Sequence, residues 1–371
     1  MKLIFASDSL KGSLSSEQTA ALLTKAAHKV FGACECIGVP MADGGEGTVD
    51  AVIEALHGER ITATVHDPLM NEIQAGYGVS GEKAIIEMAA ASGLTLVPKA
   101  LQNPLNTTTL GTGEMILDAL DRGCRNLYIA IGGSATNDGG MGCTRALGAR
   151  FLDKSDNELT GSGRDLSDVA AIDLNGLDHR LSQSKVTVLC DVKNPLCGEH
   201  GATYTYAAQK GATPDIVELL ESGMRNYRDV IKRRFSVDCD TVEGAGAAGG
   251  LGAALKVFLN AEMQSGVEAV LNLIGFDELI EGADLIVTGE GRADAQSLCG
   301  KVMQGVGMRA QAKGIPAIGL CGSIADEAEP LYDCGITALY SLVDENTSVE
   351  EAITNAERIY YQAAVRMFRS G

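Results

Sequence analysis

Residues 2–40 read KLIFASDSLKGSLSSEQTAALLTKAAHKVFGACECIGVP, and this stretch decides the fold class. Lys2–Ser7 is a short apolar run suited to a buried strand, and residues 8–13 form a polar, glycine-containing loop. Ser15 and Ser16 are N-cap residues for a helix running to about Lys29, with Gln18 placed three residues after Ser15 as in a capping box. Glu35–Pro40 is a second strand, followed by a loop at Met41–Gly45 and a helix over about Glu46–Leu56. The C-terminal part repeats this rhythm three times. Strands are expected at Asp284–Thr288, Pro316–Leu320 and Thr337–Leu342, and helices at Gly300–Lys313, Asp326–Tyr332 and from Ser348 to Phe368. Such alternation builds a parallel sheet with helices on both faces.

The middle of the chain has another rhythm. Ile61–Asp67, Gln74–Val79 and Lys83–Met88 are strand-like with no helix between them, which predicts an antiparallel piece. A helix over about Leu110–Arg122, a strand at Leu127–Ile131, a helix near Gly140–Leu147 and a strand at Val186–Asp191 follow. Pro214–Phe235 is an amphipathic helix, with Ile216, Leu219, Leu220, Met224, Tyr227 and Ile231 at steps of one, three and four residues. Similar ends around a different middle predict an inserted domain, residues 62–279, splitting a domain made of residues 1–61 and 280–371.

The chain has 371 residues, with 30 Lys+Arg against 49 Asp+Glu and a net charge of −19. That size fits two domains or one large α/β unit. With 45% hydrophobic and 21% charged residues the composition is globular, not disordered. No apolar run approaches the ~20 residues of a spanning helix, and the N-terminus lacks the roughly 7–15-residue apolar stretch of a signal peptide. A soluble, cytoplasmic protein without a membrane partner is expected. The acidic balance excludes nucleic acid as the main partner. Nothing in the sequence argues for or against a homo-oligomer. The ten cysteines include no CxxC pair; only Cys34 and Cys36 are close, as CxC on a strand. Without zinc-ligand spacing they read as reduced, mostly buried small hydrophobes.

Six segments concentrate glycine with hydroxyl or charged residues: 8–13, 42–48, 132–140, 190–196, 244–250 and 288–294. Five of them directly follow a strand-like run, which places them at the carboxyl ends of strands, where open α/β sheets bind ligands. Glycines there let an anion approach backbone N–H groups. A Walker loop fails, because Gly300-Lys301 is followed by Val302 and position 295 is Ala. Gly244-x-Gly246-x-x-Gly249 matches GxGxxG only formally, since Val237–Val242 is a poor strand; a NAD(P)-dependent oxidoreductase rests on this match alone. The protein-kinase set and a lipase GxSxG are absent, and Gly161-Ser162-Gly163 is a plain loop. Asp43, Glu46, Asp191, Glu290 and Asp294 supply hard oxygen donors suited to phosphate-borne Mg²⁺, and Lys11, Lys193, Arg292 and Lys301 are the nearby cations. The five histidines (28, 57, 66, 179, 200) are dispersed and read as solvated or structural. The residues alone reach an anion-binding, Mg²⁺-dependent α/β enzyme and leave its substrate open.

DSLKGSLSS at 8–16, MADGGEGT at 41–48, GGSATNDGGMG at 132–142, CDVKNPLCG at 190–198, GAGAAGGLG at 244–252 and TGEGRADAQSLCGK at 288–301 together resemble the bacterial glycerate kinases, also called glycerate 2-kinases. The match runs in order over nearly the whole chain. The resemblance implies ATP-dependent phosphorylation of D-glycerate to 2-phosphoglycerate, another hydroxy-acid kinase being the alternative. It also implies a Rossmann/flavodoxin-like parallel-sheet domain split by a mixed-sheet α/β domain, with the active site in a cleft between them. For such a reaction Arg292 would hold the glycerate carboxylate as a two-pronged fork, with Lys11 at the carboxylate or the phosphates. Asp191 is the first choice for taking the hydroxyl proton and Asp43 the second. The substrate set is completed by Asp8, Ser9, Ser13, Gly44, Glu46, Asn194, Glu290 and Asp294. The nucleotide would lie on Gly133, Ser134, Thr136, Asn137, Asp138 and Gly139 and on Gly246, Ala247, Gly249 and Gly250, with Lys301. Mg²⁺ would use Asp191, Asp43 and Glu290. Which glycine-rich loop takes ATP and which glycerate stays open.

Overall fold

In chain order the strands are β1 (Lys2–Ser7), β2 (Glu35–Gly38), β3 (Glu59–His66), β4 (Glu72–Ser80), β5 (Lys83–Glu87), β6 (Asn126–Ala130), β7 (Arg150–Leu152), β8 (Ala171–Asp173), β9 (Lys185–Leu189), β10 (Glu262–Gln264), β11 (Leu285–Gly289), β12 (Arg292–Ala293), β13 (Ala317–Cys321), β14 (Ser323–Ile324) and β15 (Ile336–Ser341). They come from a computed structural model that describes residues 1–10, 12–41, 47–298, 301–343 and 347–370. Two compact units emerge, one of Met1–Asp43, Asp50–Leu56 and Ser265–Gly371, the other of Gly44–Val49 and His57–Gln264.

The first unit holds a five-stranded parallel sheet in the order β15-β13-β11-β1-β2. Counted by appearance in the chain, that is the doubly wound order 2-1-3-4-5, whose direction of winding reverses between β1 and β11. Leu3, Ile4, Phe5 and Ala6 are fully buried because β1 is central and covered on both faces. The helix Ser16–Phe31 starts with the expected box: Ser15 Oγ accepts from the Gln18 N–H while Gln18 Oε1 accepts from the Ser15 N–H. It packs beside the C-terminal helix Ala356–Ser370, where Phe368 meets Phe31 edge-on at 5.4 Å.

The second unit holds a six-stranded mixed sheet in the order β10-β9-β6-β5-β4-β3. β3, β4 and β5 form the expected antiparallel piece, and β5, β6, β9 and β10 run parallel. Its core gathers Ile86, Ile129, Val188, Met224, Tyr227 and Leu251 around the amphipathic helix Pro214–Phe235.

Several elements differ from the sequence reading. The C-terminal crossing between units falls at Ser265 instead of near 280, because β10 pairs with β9 while the helix Gly266–Leu273 joins the first unit through Glu268, whose carboxylate takes a 2.6 Å bond from Arg309. Asp326–Cys334 is a 3₁₀ segment with Pro330 inside, which removes a helix-forming N–H. The expected last helix breaks at Asn355 into Val349–Thr354 and Ala356–Ser370. The antiparallel β7–β8 pair, β10 and the helices Ala247–Phe258 and Gly266–Leu273 have no counterpart in the sequence reading.

Candidate active site

Register places two loops side by side at the reversal point of the first sheet. Ser7 pairs with Gly289, so the next residues, Asp8 and Glu290, leave adjacent strand ends, and the Asp8 N–H donates to Gly289 O at 2.9 Å. Here a cleft of about 390 Å³ opens, lined at its polar end by Asp8, Ser9, Ser13, Glu290, Arg292, Asp294 and Lys301. Seven of the sequence candidates therefore share one cavity. Its floor is firmly built: β12 pairs with β14, and the Gly322 N–H donates to Glu290 O at 3.0 Å. Its other wall is apolar, from Leu10, Leu342, Val343, Val349, Ala352 and Ile353. The sequence reading does not contain that wall or Ser323. Leu10, Leu342, Val343 and Ser323 follow strand ends closely, whereas Val349, Ala352 and Ile353 come from the helix Val349–Thr354 and carry no such signal.

Glu290 is 5% exposed. Lys301 Nζ lies 3.7 Å from its Oε2, while Oε1 has no hydrogen-bond partner among the described residues. Burial raises the Glu290 carboxyl above its ordinary range; Ser297 and Lys301 pull it back, and Asp8 and Asp294 push it further up. Lys301 also caps the helix Val302–Lys313, whose N-terminal dipole favours an anion at this point. Arg292 is 67% exposed in its side chain and lies 3.5 Å from Asp294. Its guanidinium is thus available at the cleft edge for a carboxylate or phosphate.

In the second unit, β5, β6 and β9 end in register at Glu87, Ala130 and Leu189. Asp191 follows the end of β9 and is exposed. Lys193 pairs with Glu243 at 3.4 Å at the surface. The Asn194 side chain serves its own loop: Nδ2 donates to His200 O at 2.8 Å and Oδ1 accepts from Tyr206 Oη at 2.7 Å.

The 132–140 loop divides sharply. Gly132 and Gly133 are exposed, whereas Ser134, Thr136, Asn137, Asp138 and Gly139 are buried. Asp138 takes bonds from Thr109 N and Oγ1 and from Gly140 N, which fixes the loop, although burial still raises its carboxyl. Gly246, Ala247, Gly249 and Gly250 are buried as well. Gly249 has φ +65°, and a Cβ there would sit 2.1 Å from Thr136 O, so this glycine permits loop-to-loop packing. Among the nucleotide candidates of this unit, exposed backbone is thus confined to Gly133. Lys11, Asp43, Gly44 and Glu46 lie outside the described residues.

Lys210 is a buried cation that no sequence motif announced. Its Nζ donates to Ser134 Oγ at 2.8 Å and Thr136 O at 2.6 Å, directly behind the exposed Gly132–Gly133 turn. Burial lowers it to about 7, against the pull of Asp138. Its folded pKa lies below the ordinary lysine value, so the unfolded chain binds the extra proton between about 7 and 10.5. The stability from neutral Lys210 is fully present above that window and lost as pH falls through about 7. Lys210→Met removes this slope. The parent-minus-variant difference in Tm is expected to be larger at pH 9 than at pH 7, and a pH-independent difference in thermal melts would count against the assignment.

The glycerate kinase family model matches residues 3–370. The glycerate kinase of Bacillus subtilis is 44% identical over 96% of this chain and 94% of its own length. The glycerate 2-kinase of Escherichia coli is 45% identical over the same shares. The crystal structure described as a glycerate kinase 2 from Salmonella typhimurium LT2 aligns with a TM-score of 0.91 and 41% identity, covering 100% of this chain and 98% of that one. With a cleft of carboxylates and cations at the winding reversal and matches from end to end, the chain belongs to the glycerate kinase family.

Proposed function

We propose that the protein transfers the terminal phosphoryl group of ATP to D-glycerate and releases 2-phosphoglycerate. The observation that carries this reading is the convergence of Arg292 and Lys301 on a cleft that also holds the buried Glu290. A small hydroxy acid needs a cation for its carboxylate and acceptors for its hydroxyls, and the polar end offers both. Arg292 grips the carboxylate and Lys301 adds charge beside it. Asp8 and Asp294, which line the same cleft, are the carboxylates we assign to the substrate hydroxyls. The nucleotide phosphates are assigned to the backbone at Gly132–Gly133, which Lys210 stiffens through Ser134. Asp191, exposed beyond the end of β9 in the second unit, is the carboxylate we assign to proton uptake from the hydroxyl.

Mg²⁺ fits the donors present, because Glu290 Oε1 is buried without a hydrogen-bond partner among the described residues and Asp8 and Asp294 line the same cavity. When bound it would neutralise charge on the phosphates. The GxGxxG-like run at Gly244 follows a 3₁₀ turn, Cys239–Thr241, where a dinucleotide fingerprint needs a strand, which disfavours an oxidoreductase.

Arg292→Lys keeps the charge and removes the fork. The expected result is a rise in KM for glycerate of about tenfold or more, with KM for ATP nearly unchanged. Equal glycerate kinetics would make Arg292 a turn residue held by Asp294. The reading as a whole is tested by a panel of hydroxy acids with ATP, with and without chelator. D-glycerate should be turned over fastest, and chelator should abolish turnover. Preference for another hydroxy acid would overturn the substrate assignment.

A further inference from the structure

Three side chains that phosphoryl transfer leaves unused meet at the amino end of β2. His28 lies in the last turn of the helix Ser16–Phe31, which stops at Gly32 with φ +75°. The chain reverses there and returns with Cys34 and Cys36 on either side of Glu35. Cys34 Sγ is 3.6 Å from Cys36 Sγ, and Cys36 Sγ is 3.9 Å from His28 Nε2. One ligand atom from each of the three lies within 4.8 Å of the others. A tetrahedral Zn²⁺ with Zn–S near ~2.3 Å and Zn–N near ~2.0–2.1 Å requires about 3.8 Å between sulfurs and about 3.6 Å between sulfur and nitrogen. The Cys34–Cys36 and Cys36–His28 separations differ from these by a few tenths of an ångström, and the third pair lies within 4.8 Å. They are far from a disulfide, whose sulfurs sit at roughly 2.05 Å.

We propose that His28, Cys34 and Cys36 form a binding site for a thiophilic divalent cation, with Zn²⁺ the best fit to a donor set of two sulfurs and one imidazole nitrogen. His28 is exposed and the cysteines are half-buried, so the fourth position faces water. His28 Nε2 now stands 3.3 Å from Cys34 O, a contact it gives up when it turns its lone pair to the metal. Position argues for a clamp. Glu35 pairs with Lys2, at the end of the sheet opposite to the Asp8–Glu290 cleft. The cation therefore ties the end of a helix to edge strand β2 and takes no part in the chemistry.

The test uses full-length protein stripped with chelator and kept reduced with a phosphine. Co²⁺ serves as the spectroscopic probe. The expected result is one equivalent bound with thiolate-to-Co²⁺ charge transfer and tetrahedral d–d bands, displaced by Zn²⁺. The signal should vanish in Cys34→Ser and Cys36→Ser and weaken in His28→Gln. Zn²⁺ should raise the Tm of the parent and not that of Cys36→Ser, while all three variants keep parental turnover of glycerate. No tetrahedral spectrum, or a spectrum unchanged by Cys36→Ser, would overturn the site. A folded Cys36→Ser protein without turnover would overturn the clamp.

Discussion

Asp191→Asn is expected to fold like the parent and to lose about 10²–10⁴-fold in turnover, the range for removing a general base. The strand Lys185–Leu189 is flanked by β6 and β10, and Asp191 lies two residues beyond its end. The following loop is held by Asn194, whose carbonyl accepts from the Gly246 N–H at 2.9 Å. An amide has the shape of the carboxylate it replaces but lacks its basicity. Because Asp191 is exposed, the Tm should move by only a few degrees at most. Parental turnover in a folded Asp191→Asn protein would refute the role and move it to Asp43.

Glu290→Gln should separate activity from stability. The buried carboxylate, with one oxygen unpartnered among the described residues, is a costly group to keep charged, and its pKa is raised above the ordinary range. The sign follows from that direction. A raised folded pKa means that the folded chain holds the proton harder, so Glu290 contributes most below the ordinary carboxylate range. That contribution is lost as pH rises through the folded value. Gln resembles the protonated form and keeps the contribution at neutral pH. The variant is therefore expected to match the parent's Tm in acid and to equal or exceed it at pH 7–8. Turnover should fall about 10²–10³-fold, as for the loss of one preorganised electrostatic group. A sharp drop in Tm at pH 8, or unchanged turnover, would show that Glu290 is a structural partner of Lys301.

The elements that the sequence revealed are those with strong local signals. β1, the Ser15–Gln18 capping box and the helix Pro214–Phe235 each write their boundary in adjacent residues, and the structure follows them closely. The polar end of the cleft was legible because strand ends with charged, glycine-bearing loops mark ligand positions in parallel sheets. Glycine content alone could not distinguish a loop open to phosphate from one that lets two backbones touch. The Gly244–Gly250 run proves to be of the second kind, with positive φ at Ala248, Gly249 and Gly250 before a regular helix. Lys210 and His28 carry no local signature, since their partners are 74 and 76 residues away in one case and across a chain reversal in the other. Such tertiary encounters do not show in spacing.

The central claim is the transfer of phosphate from ATP to the 2-hydroxyl of D-glycerate. Purified protein with ATP, Mg²⁺ and D-glycerate, followed by phosphorus NMR, tests it most directly. The account predicts a phosphomonoester resonance that grows as ATP becomes ADP and coincides with added 2-phosphoglycerate. A resonance coinciding with 3-phosphoglycerate, or loss of ATP without any glycerate-dependent phosphomonoester, would contradict it.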